Sequence, residues 1–279
     1  MNLTLVETFE KIRPSIVAFG SKLSIAKGAE PPPFPPLIGS GFIADERGIV
    51  ITNRHVAEAL RALPRTPDTN EPGAFALVFS EVTRHEQGDY GIGAAVVEIV
   101  RYDLLTQFSV ENGEYYGEAV PDLAFIQLNV RDVPALTLVT EPRSIRIGMS
   151  VATAGFPLGA DPLVVYGGVN QLTPFLRHGI VSSVLPFPCP TPHGFTVDIM
   201  SQGGASGSPI FRTDDGAVVG VLHAGFPGTN ITLAVPANIA AFALETFFEQ
   251  VKPDLTRVPT FAEYTKADGP HRPTFRRAG

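Results

Sequence analysis

The chain has 279 residues, and the features that it lacks already exclude several classes of protein. It contains one cysteine, Cys189, which excludes an intrachain disulfide framework and a zinc cage built from cysteine thiolates. No segment approaches the ~18 consecutive apolar residues of a membrane span. A basic stripe is missing as well, because 21 lysines and arginines stand against 28 aspartates and glutamates, for a net charge of −7. We therefore expect neither membrane insertion nor nucleic-acid binding.

Residues 1–20 carry no recognisable targeting signal. They include Glu7, Glu10, Lys11 and Arg13, and they contain neither an uninterrupted apolar stretch nor a cleavage site. This composition predicts a cytoplasmic protein. The single cysteine agrees with a reducing compartment.

Short apolar runs rich in valine, isoleucine and phenylalanine dominate the sequence. Hydrophobic residues make up 44% of the chain, enough for a sizeable core, and 27 glycines with 26 prolines indicate many turns. Short strands separated by such turns favour β-barrels or β-sandwiches over βαβ units. The first predicted set of strands covers residues 15–20, 37–45, 48–53, 74–80, 93–102 and 123–128. After a connector at 130–142, the second set covers 149–155, 163–168, 179–185, 195–200, 209–213, 217–223 and 231–235.

Two segments have helical character, and three read as loops or tail. Residues 55–63 consist of good helix formers ended by Pro64, and residues 237–251 place Ile239, Phe242, Ala243 and Phe247 on one face. The sequence thus predicts an all-β chain with an amphipathic helix near its C-terminus. The proline-rich segment 29–36 and the polar segment 64–73 are predicted surface loops, and residues 251–279 are predicted to be a tail, disordered or lying on the surface.

The segment Gln202-Gly203-Gly204-Ala205-Ser206-Gly207-Ser208-Pro209 is the most informative motif. Its three glycines permit a turn that exposes the Ser206 hydroxyl and directs neighbouring N–H groups at one point. Acyl transfer requires such a nucleophile beside donors for the developing oxyanion. The alternative is an ordinary glycine-rich turn with an incidental serine.

A nucleophilic serine needs a base and an orienting carboxylate. His55 follows a predicted strand and opens a helical turn, a good platform for a functional side chain. Asp122 precedes another apolar strand, where a carboxylate can be half-buried and still ionised. Asp103 and Asp89 are weaker candidates because their surroundings are more polar. The order His55, Asp122, Ser206 is that of chymotrypsin, and it assembles one site from both strand sets.

Further motifs support one resemblance, and they are Gly39-Ser40-Gly41-Phe42-Ile43, Gly48 to Val56 (GIVITNRHV), Asp122-Leu123-Ala124 and Gly204-Ala205-Ser206-Gly207-Ser208-Pro209. These motifs and the segments 154–159, 179–182 and 234–236 resemble those of trypsin-like serine peptidases, most closely of the HtrA-like bacterial branch. The resemblance spans roughly residues 12–250. It implies two six-stranded antiparallel β-barrels of the chymotrypsin type, at 12–135 and 143–250, followed by the tail at 251–279. No PDZ domain follows the catalytic region within these residues.

The resemblance also implies the roles of the site residues. His55 would be the general base, Asp122 its orienting partner and Ser206 the nucleophile. The N–H groups of Gly204 and Ser206 would form the oxyanion hole, and neither a metal nor a cofactor would be needed. Two positions depart from the usual G-N-S-G-G-P pattern, because Ala205 and Ser208 replace asparagine and glycine. Ser208 matters if its position requires a conformation open only to glycine.

The same resemblance suggests a shallow, apolar specificity pocket. Met200 would lie at its floor, Gly225 would leave its mouth open, and the remaining walls would come from His223, Ala224, Ile231 and Leu233. These residues predict an endopeptidase that cleaves protein or peptide substrates after small or medium aliphatic residues. His223 could instead favour Glu or Gln, although its position favours a contact near Asp122. A catalytically silent peptide-binding relative, an esterase and a protease activated by a partner protein remain alternatives, and the oligomeric state is open.

Overall fold

The computed structural model describes residues 3–22, 35–66, 70–84, 90–109, 120–159, 173–187, 192–252 and 258–264. The predicted strand at 163–168, Cys189, Asp89 and most of the segment 29–36 lie outside the described residues. The domain boundaries given above stay a prediction. None of the helices in the described part of the chain has the length and apolar character needed to cross a membrane.

An antiparallel sheet of seven strands is formed by the N-terminal half of the chain. Its strands are ordered β5-β4-β1-β2-β3-β7-β6. A two-turn helix, α2 (Arg54–Arg61), follows β3 directly and confirms the helix predicted at 55–63. The strands are β1 (Ile16–Ser21), β2 (Leu37–Asp45), β3 (Ile49–Thr52), β4 (Ala74–Arg84), β5 (Tyr90–Val97), β6 (Ile99–Leu104) and β7 (Ala124–Leu128).

The seventh strand arises from a bend at Glu98. The strand predicted at 93–102 is divided there into β5 and β6, and the Glu98 carbonyl accepts a hydrogen bond from the Asn129 N–H at 2.9 Å, next to the pairing of β6 with β7. These two halves pair with opposite edges of the sheet, β5 with β4 and β6 with β7. Consecutive residues therefore occupy both edges, which requires the sheet to curl into a half-barrel.

The C-terminal half forms a closed barrel of six antiparallel strands in the order β10-β13-β12-β11-β8-β9. The amphipathic helix α3 (Ala237–Gln250) follows it and agrees with the segment predicted at 237–251. The predicted all-β class with two barrel-like units and a C-terminal helix is therefore confirmed. The strands are β8 (Ser150–Gly155), β9 (Phe175–Leu185), β10 (Gly194–Val197), β11 (Pro209–Arg212), β12 (Val218–Gly225) and β13 (Thr232–Pro236).

The two halves share one buried core. Phe79 of β4 stacks on Phe156, which follows β8, with ring centroids 5.5 Å apart. Phe125 of β7 stacks on Phe247 of α3 at 5.4 Å. Both Phe79 and Phe156 are almost completely buried, so this packing fixes the barrels against each other and removes large apolar surfaces from water.

Two helices were not predicted. Helix α1 (Leu5–Ile12) begins with a capping box, in which the Thr4 side chain accepts from the Glu7 N–H and the Glu7 carboxylate accepts from the Thr4 N–H. It precedes the first sheet but packs on the turn after β11, where Thr8 Oγ1 donates to the Thr213 carbonyl at 2.9 Å. Helix α4 (Phe261–Tyr264), a single turn, lies within the predicted tail.

Helix α4 brings part of the predicted tail back onto the first sheet. The N–H of Arg131 donates to Pro259 O at 3.0 Å, and the N–H of Phe261 donates to Arg131 O at 2.8 Å. Tyr264 is buried in the core of the first sheet. Burial, with the nearby Glu98 carboxylate as a second cause, raises the pKa of the Tyr264 hydroxyl. Residues 258–264 are therefore an ordered part of the fold.

Candidate active site

His55 and Asp122 are brought together by the pairing of β3 with β7. Thr52 pairs with Ala124 at the end of this ladder, and Asn53 then begins α2, with His55 as its second residue. The Nδ1 atom of His55 lies 2.6 Å from Asp122 Oδ2, and the N–H of His55 donates to Asp122 Oδ1 at 3.0 Å. Asn53 Nδ2 donates to the Asp122 carbonyl at 2.8 Å. Both oxygens of the carboxylate thus contact the same histidine.

Asp122 is only 6% exposed, yet its environment favours the ionised form. Burial alone would raise the pKa of the carboxyl. The hydrogen bonds from His223 and His55, together with the electrostatic attraction of the adjacent His55, outweigh burial and hold the pKa of Asp122 well below its ordinary value. The carboxylate is therefore negatively charged at neutral pH and can only accept hydrogen bonds.

A second imidazole shares the same carboxylate oxygen. Nδ1 of His223, on β12, lies 3.1 Å from Asp122 Oδ2. Since the carboxylate only accepts, Nδ1 of both histidines carries the hydrogen in these contacts. In the neutral His55 ring, Nε2 is then the unprotonated nitrogen and a proton acceptor. Of the two orientations weighed for His223, the one toward Asp122 matches this contact. The weaker candidate Asp103 instead pairs with Arg101 Nε at 2.6 Å.

The Ser206 loop lies against β2, against β12 near His223, and against the end of β3, which directly precedes the helix of His55. The Ser206 carbonyl accepts the N–H of Ser40 at 3.0 Å, and the N–H of Gly207 donates to Leu222 O at 3.0 Å, one residue before His223. Gly207 has φ +86°, and a Cβ there would lie 2.3 Å from Thr52 Oγ1. The loop thus packs against Thr52, which precedes His55 by three residues in the sequence. No hydrogen bond between Ser206 Oγ and His55 is formed among the described residues.

Gly204 gives the loop its second special conformation. It has φ +92°, and a Cβ there would lie 2.4 Å from the Phe156 carbonyl oxygen, so only glycine fits. The preceding carbonyl, that of Gly203, accepts the Leu158 N–H at 2.6 Å. In a trans peptide the Gly204 N–H points the opposite way, away from Leu158. Within the described structure, neither the N–H of Gly204 nor that of Ser206 donates to another group.

Ser208 fits its position without strain. It does not have a positive φ, so the position does not require glycine. Its side chain is 1% exposed and fills the space beside Gly155, where a Cβ would lie 1.9 Å from Ser208 Oγ. Its Oγ has no hydrogen-bond partner among the described residues. The departure from the usual motif is therefore accommodated by packing.

Among the residues predicted to form the specificity pocket, Gly225 lies beside Ser201. A Cβ at Gly225 would lie 3.0 Å from Ser201 Cβ, so the space between these two residues depends on the missing side chain at position 225. Met200 is 42% exposed, and its carbonyl accepts from Arg177 Nη1 at 2.7 Å. Ile231 is likewise exposed, while Ala224 and Leu233 are half-buried. The walls approach each other closely at Gly225.

Two residues of the site were missed by the sequence analysis. Asn53 holds the Asp122 carbonyl, and Ser40 contacts the Ser206 loop through its backbone and side chain. Both were quoted within motifs, Asn53 directly before Arg54-His55 and Ser40 between Gly39 and Gly41. Their positions in those motifs were the only signal, because the local spacing of residues does not predict contacts between distant segments.

Comparison with known proteins places the chain in a family. The trypsin-like peptidase domain matches residues 39–221, about two thirds of the chain, and the chain belongs to this family. A search of curated proteins gave no match. By its family the chain is a trypsin-like serine endopeptidase, and it shares a chymotrypsin-like fold with solved structures.

Solved structures share this fold at low sequence identity. The serine endoprotease from Yersinia pestis is 18% identical, with a TM-score of 0.54 over 89% of this chain and 68% of that one. The HtrA-type protease AlgW with a decapeptide is 16% identical, with a TM-score of 0.56 over 88% of this chain and 68% of that one. Deg5 is 20% identical, with a TM-score of 0.52 over 88% of this chain and 94% of that one.

Proposed function

We propose that His55, Asp122 and Ser206 are the catalytic triad of this endopeptidase. The observation that carries the proposal is the double contact of the Asp122 carboxylate with the ring and the backbone N–H of His55. This contact fixes both the tautomer and the direction of the imidazole. The hydrogen bonds of the Ser206 loop to Ser40 and Leu222 support the assignment of Ser206 as the nucleophile.

The chemistry follows from the tautomer. Ser206 Oγ attacks the carbonyl carbon of a peptide bond while its proton passes to His55 Nε2, and the ionised Asp122 stabilises the resulting imidazolium. The proton then moves to the leaving amine as the C–N bond breaks, which leaves an ester on Ser206. Water attacks that ester, His55 takes the proton from water, and the same steps in reverse order release the acid and restore Ser206.

The N–H groups of Gly204 and Ser206 are the donors proposed for the oxyanion. Neither N–H donates to another group among the described residues. The hydrogen bond from the Leu158 N–H to Gly203 O keeps that carbonyl on the opposite side of the peptide from the Gly204 N–H. Such preformed donors stabilise the tetrahedral intermediate without reorganising during the reaction.

A preference for small or medium aliphatic residues at the cleaved position is the specificity that we propose. The contact of His223 with Asp122 supports it, because a ring held there is directed at the triad. The close approach of Gly225 to Ser201 also favours smaller side chains. Differences of one methylene are worth only about 1–3 kcal/mol in such pockets, so selectivity should be modest. Cleavage of a mixed peptide library tests this, and a dominant preference for Glu lost in His223→Ala would contradict it.

The triad is tested by active-site labelling with a fluorophosphonate, followed by hydrolysis of casein and of a simple ester. We expect the wild-type chain to label and to hydrolyse casein, and Ser206→Ala and His55→Ala to lose about 10⁴- to 10⁶-fold in kcat while remaining folded. Hydrolysis of the ester without casein would favour an esterase. Absence of both labelling and hydrolysis would favour a silent peptide-binding protein, or a protease that needs an activating partner.

A further inference from the structure

Ser40 lies in β2 of the first sheet, but its polar atoms contact the second barrel. It is completely buried. Its N–H donates to the Ser206 carbonyl at 3.0 Å, its Oγ donates to the Gly204 carbonyl at 2.7 Å, and the same Oγ accepts the Phe156 N–H at 2.9 Å. One serine therefore joins β2 to two separate segments of the other barrel.

These contacts immobilise the peptides that surround the two proposed oxyanion donors. Leu158 holds the carbonyl of Gly203, the Ser40 hydroxyl holds that of Gly204, and the Ser40 N–H holds that of Ser206. The carbonyl between them, at Ala205, accepts the Ser208 N–H at 3.1 Å. Every peptide plane from Gly203 to Ser206 is thus anchored, which fixes where the N–H groups of Gly204 and Ser206 point.

The hydroxyl of Ser40 also couples the loop to the turn after β8. By accepting from the Phe156 N–H while donating to Gly204 O, Oγ bridges two chain segments that already touch, because Gly204 packs against the Phe156 carbonyl. Substitution of Ser40 by alanine keeps its backbone bond to Ser206. That substitution therefore isolates the hydroxyl.

We infer that Ser40 is a positioning residue for the oxyanion hole, acting through the Gly204 peptide and not on the substrate. The inference rests on the proposed function of Gly204 and Ser206. Loss of the hydroxyl frees the peptide between Gly204 and Ala205, which connects the two peptides that carry the Gly204 and Ser206 N–H groups. These two donors then point less accurately at the oxyanion. Such a defect weakens the binding of the transition state and leaves the binding of the substrate nearly unchanged.

The matched control is Ser208, a buried serine in the same loop whose Oγ has no hydrogen-bond partner among the described residues. Ser40→Ala and Ser208→Ala each remove one buried hydroxyl, but only the first breaks hydrogen bonds. We expect Ser40→Ala to lower kcat by about 10- to 100-fold with KM within about twofold. Ser208→Ala should keep kcat within about threefold, since no described hydrogen bond is lost. Ser40→Cys replaces the hydroxyl by a larger thiol, which is a weaker donor, and should fall between.

Two readouts separate positioning from a general loss of structure. A peptide aldehyde, which places an oxyanion in the hole, should lose affinity for Ser40→Ala by the same factor as kcat/KM. A crystal structure of Ser40→Ala should show the Gly204 carbonyl displaced. An unmoved Gly204 carbonyl, unchanged aldehyde affinity, or equal loss of kcat in the Ser40 and Ser208 variants would overturn the inference. If Ser40→Ala does not fold, Ser40→Cys decides by the same measurements.

The failure of the proposed function would look different. A wild-type chain that neither labels nor hydrolyses a substrate would reject the triad, whereas an active wild-type chain with an active Ser40→Ala variant rejects only the role of Ser40. The crystal structure of Ser40→Ala decides whether the hydroxyl orients the Gly204 peptide in either case.

Discussion

Replacing Asp122 by asparagine keeps the shape of the side chain but exchanges one acceptor for a donor. The carboxylate accepts the His55 N–H on one oxygen and the Nδ1–H groups of His55 and His223 on the other. If the amide oxygen stays on the His55 N–H, its NH₂ group faces both rings. Each ring can then bond only by moving its proton to Nε2. His55 would present a donor to Ser206 and could no longer take its proton.

The reversed amide is no better. With its oxygen toward the rings, the NH₂ group opposes the backbone N–H of His55, which is 3.0 Å from Oδ1 in the wild-type chain. In either orientation, the NH₂ group of the asparagine faces another hydrogen-bond donor. We expect Asp122→Asn to lower kcat by about 10⁴-fold, the loss known for this exchange in a Ser-His-Asp triad, which corresponds to about 5 kcal/mol of transition-state stabilisation.

The assay is kcat for a peptide substrate, corrected by active-site labelling, together with thermal unfolding of each variant. His223→Ala is the control, because it removes one donor from Asp122 and leaves the contact of the carboxylate with His55. We expect it to lose no more than about tenfold in kcat. An Asp122→Asn variant that keeps more than about a tenth of wild-type kcat, or a His223→Ala variant that is equally damaged, would refute this reasoning.

Three further predictions concern stability. Because the folded pKa of Asp122 is lowered, its contribution to stability is complete above the ordinary carboxyl pKa of about 3.9 and is lost as the pH falls through the folded value. The free energy of unfolding, measured with urea, should therefore fall more steeply with decreasing pH in the wild type than in Asp122→Asn. Equal slopes in the two chains would contradict this. Gly207→Ala should cost at least about 3 kcal/mol, since its Cβ would meet Ser40 O at 2.2 Å at a positive φ; an unchanged melting temperature would be the contrary result. Truncation after Lys252 should lower the free energy of unfolding by about 2 kcal/mol, because it exposes the apolar surface that Tyr264 covers. A truncated chain as stable as the full one would show that α4 contributes nothing.

The strands and the two main helices could be predicted because their signals are local. Short apolar runs bounded by turn residues indicated β2, β3 and β7, and the apolar face of 237–251 indicated α3. The neighbourhood of His55 and Asp122 also follows from simple geometry, since each stands at the end of a strand and these strands pair. The motif around Ser206 then limited the arrangement to one chain order.

The rest depends on contacts between distant segments. At the bend, the Glu98 carbonyl accepts a hydrogen bond from Asn129, and the segment of α4 is held by hydrogen bonds with Arg131, more than a hundred residues away in sequence. The Ser40 hydroxyl reaches across 164 residues to Gly204. Helix α1 is an instructive omission, because its capping box at Thr4 and Glu7 is visible in the sequence. A cap on an eight-residue segment is a weak signal, because so short a helix has little stability by itself.

Helix α1 also constrains how the chain can fold during synthesis. Its partners, including the carbonyl of Thr213, lie 205 residues downstream of Thr8. Helix α1 therefore leaves the ribosome long before the turn on which it packs, and it stays without this partner while the residues between them are translated. Contacts of such separation form late and slow the folding of a domain. Helix α1 thus acquires its contacts with this turn only after the first sheet has been synthesised.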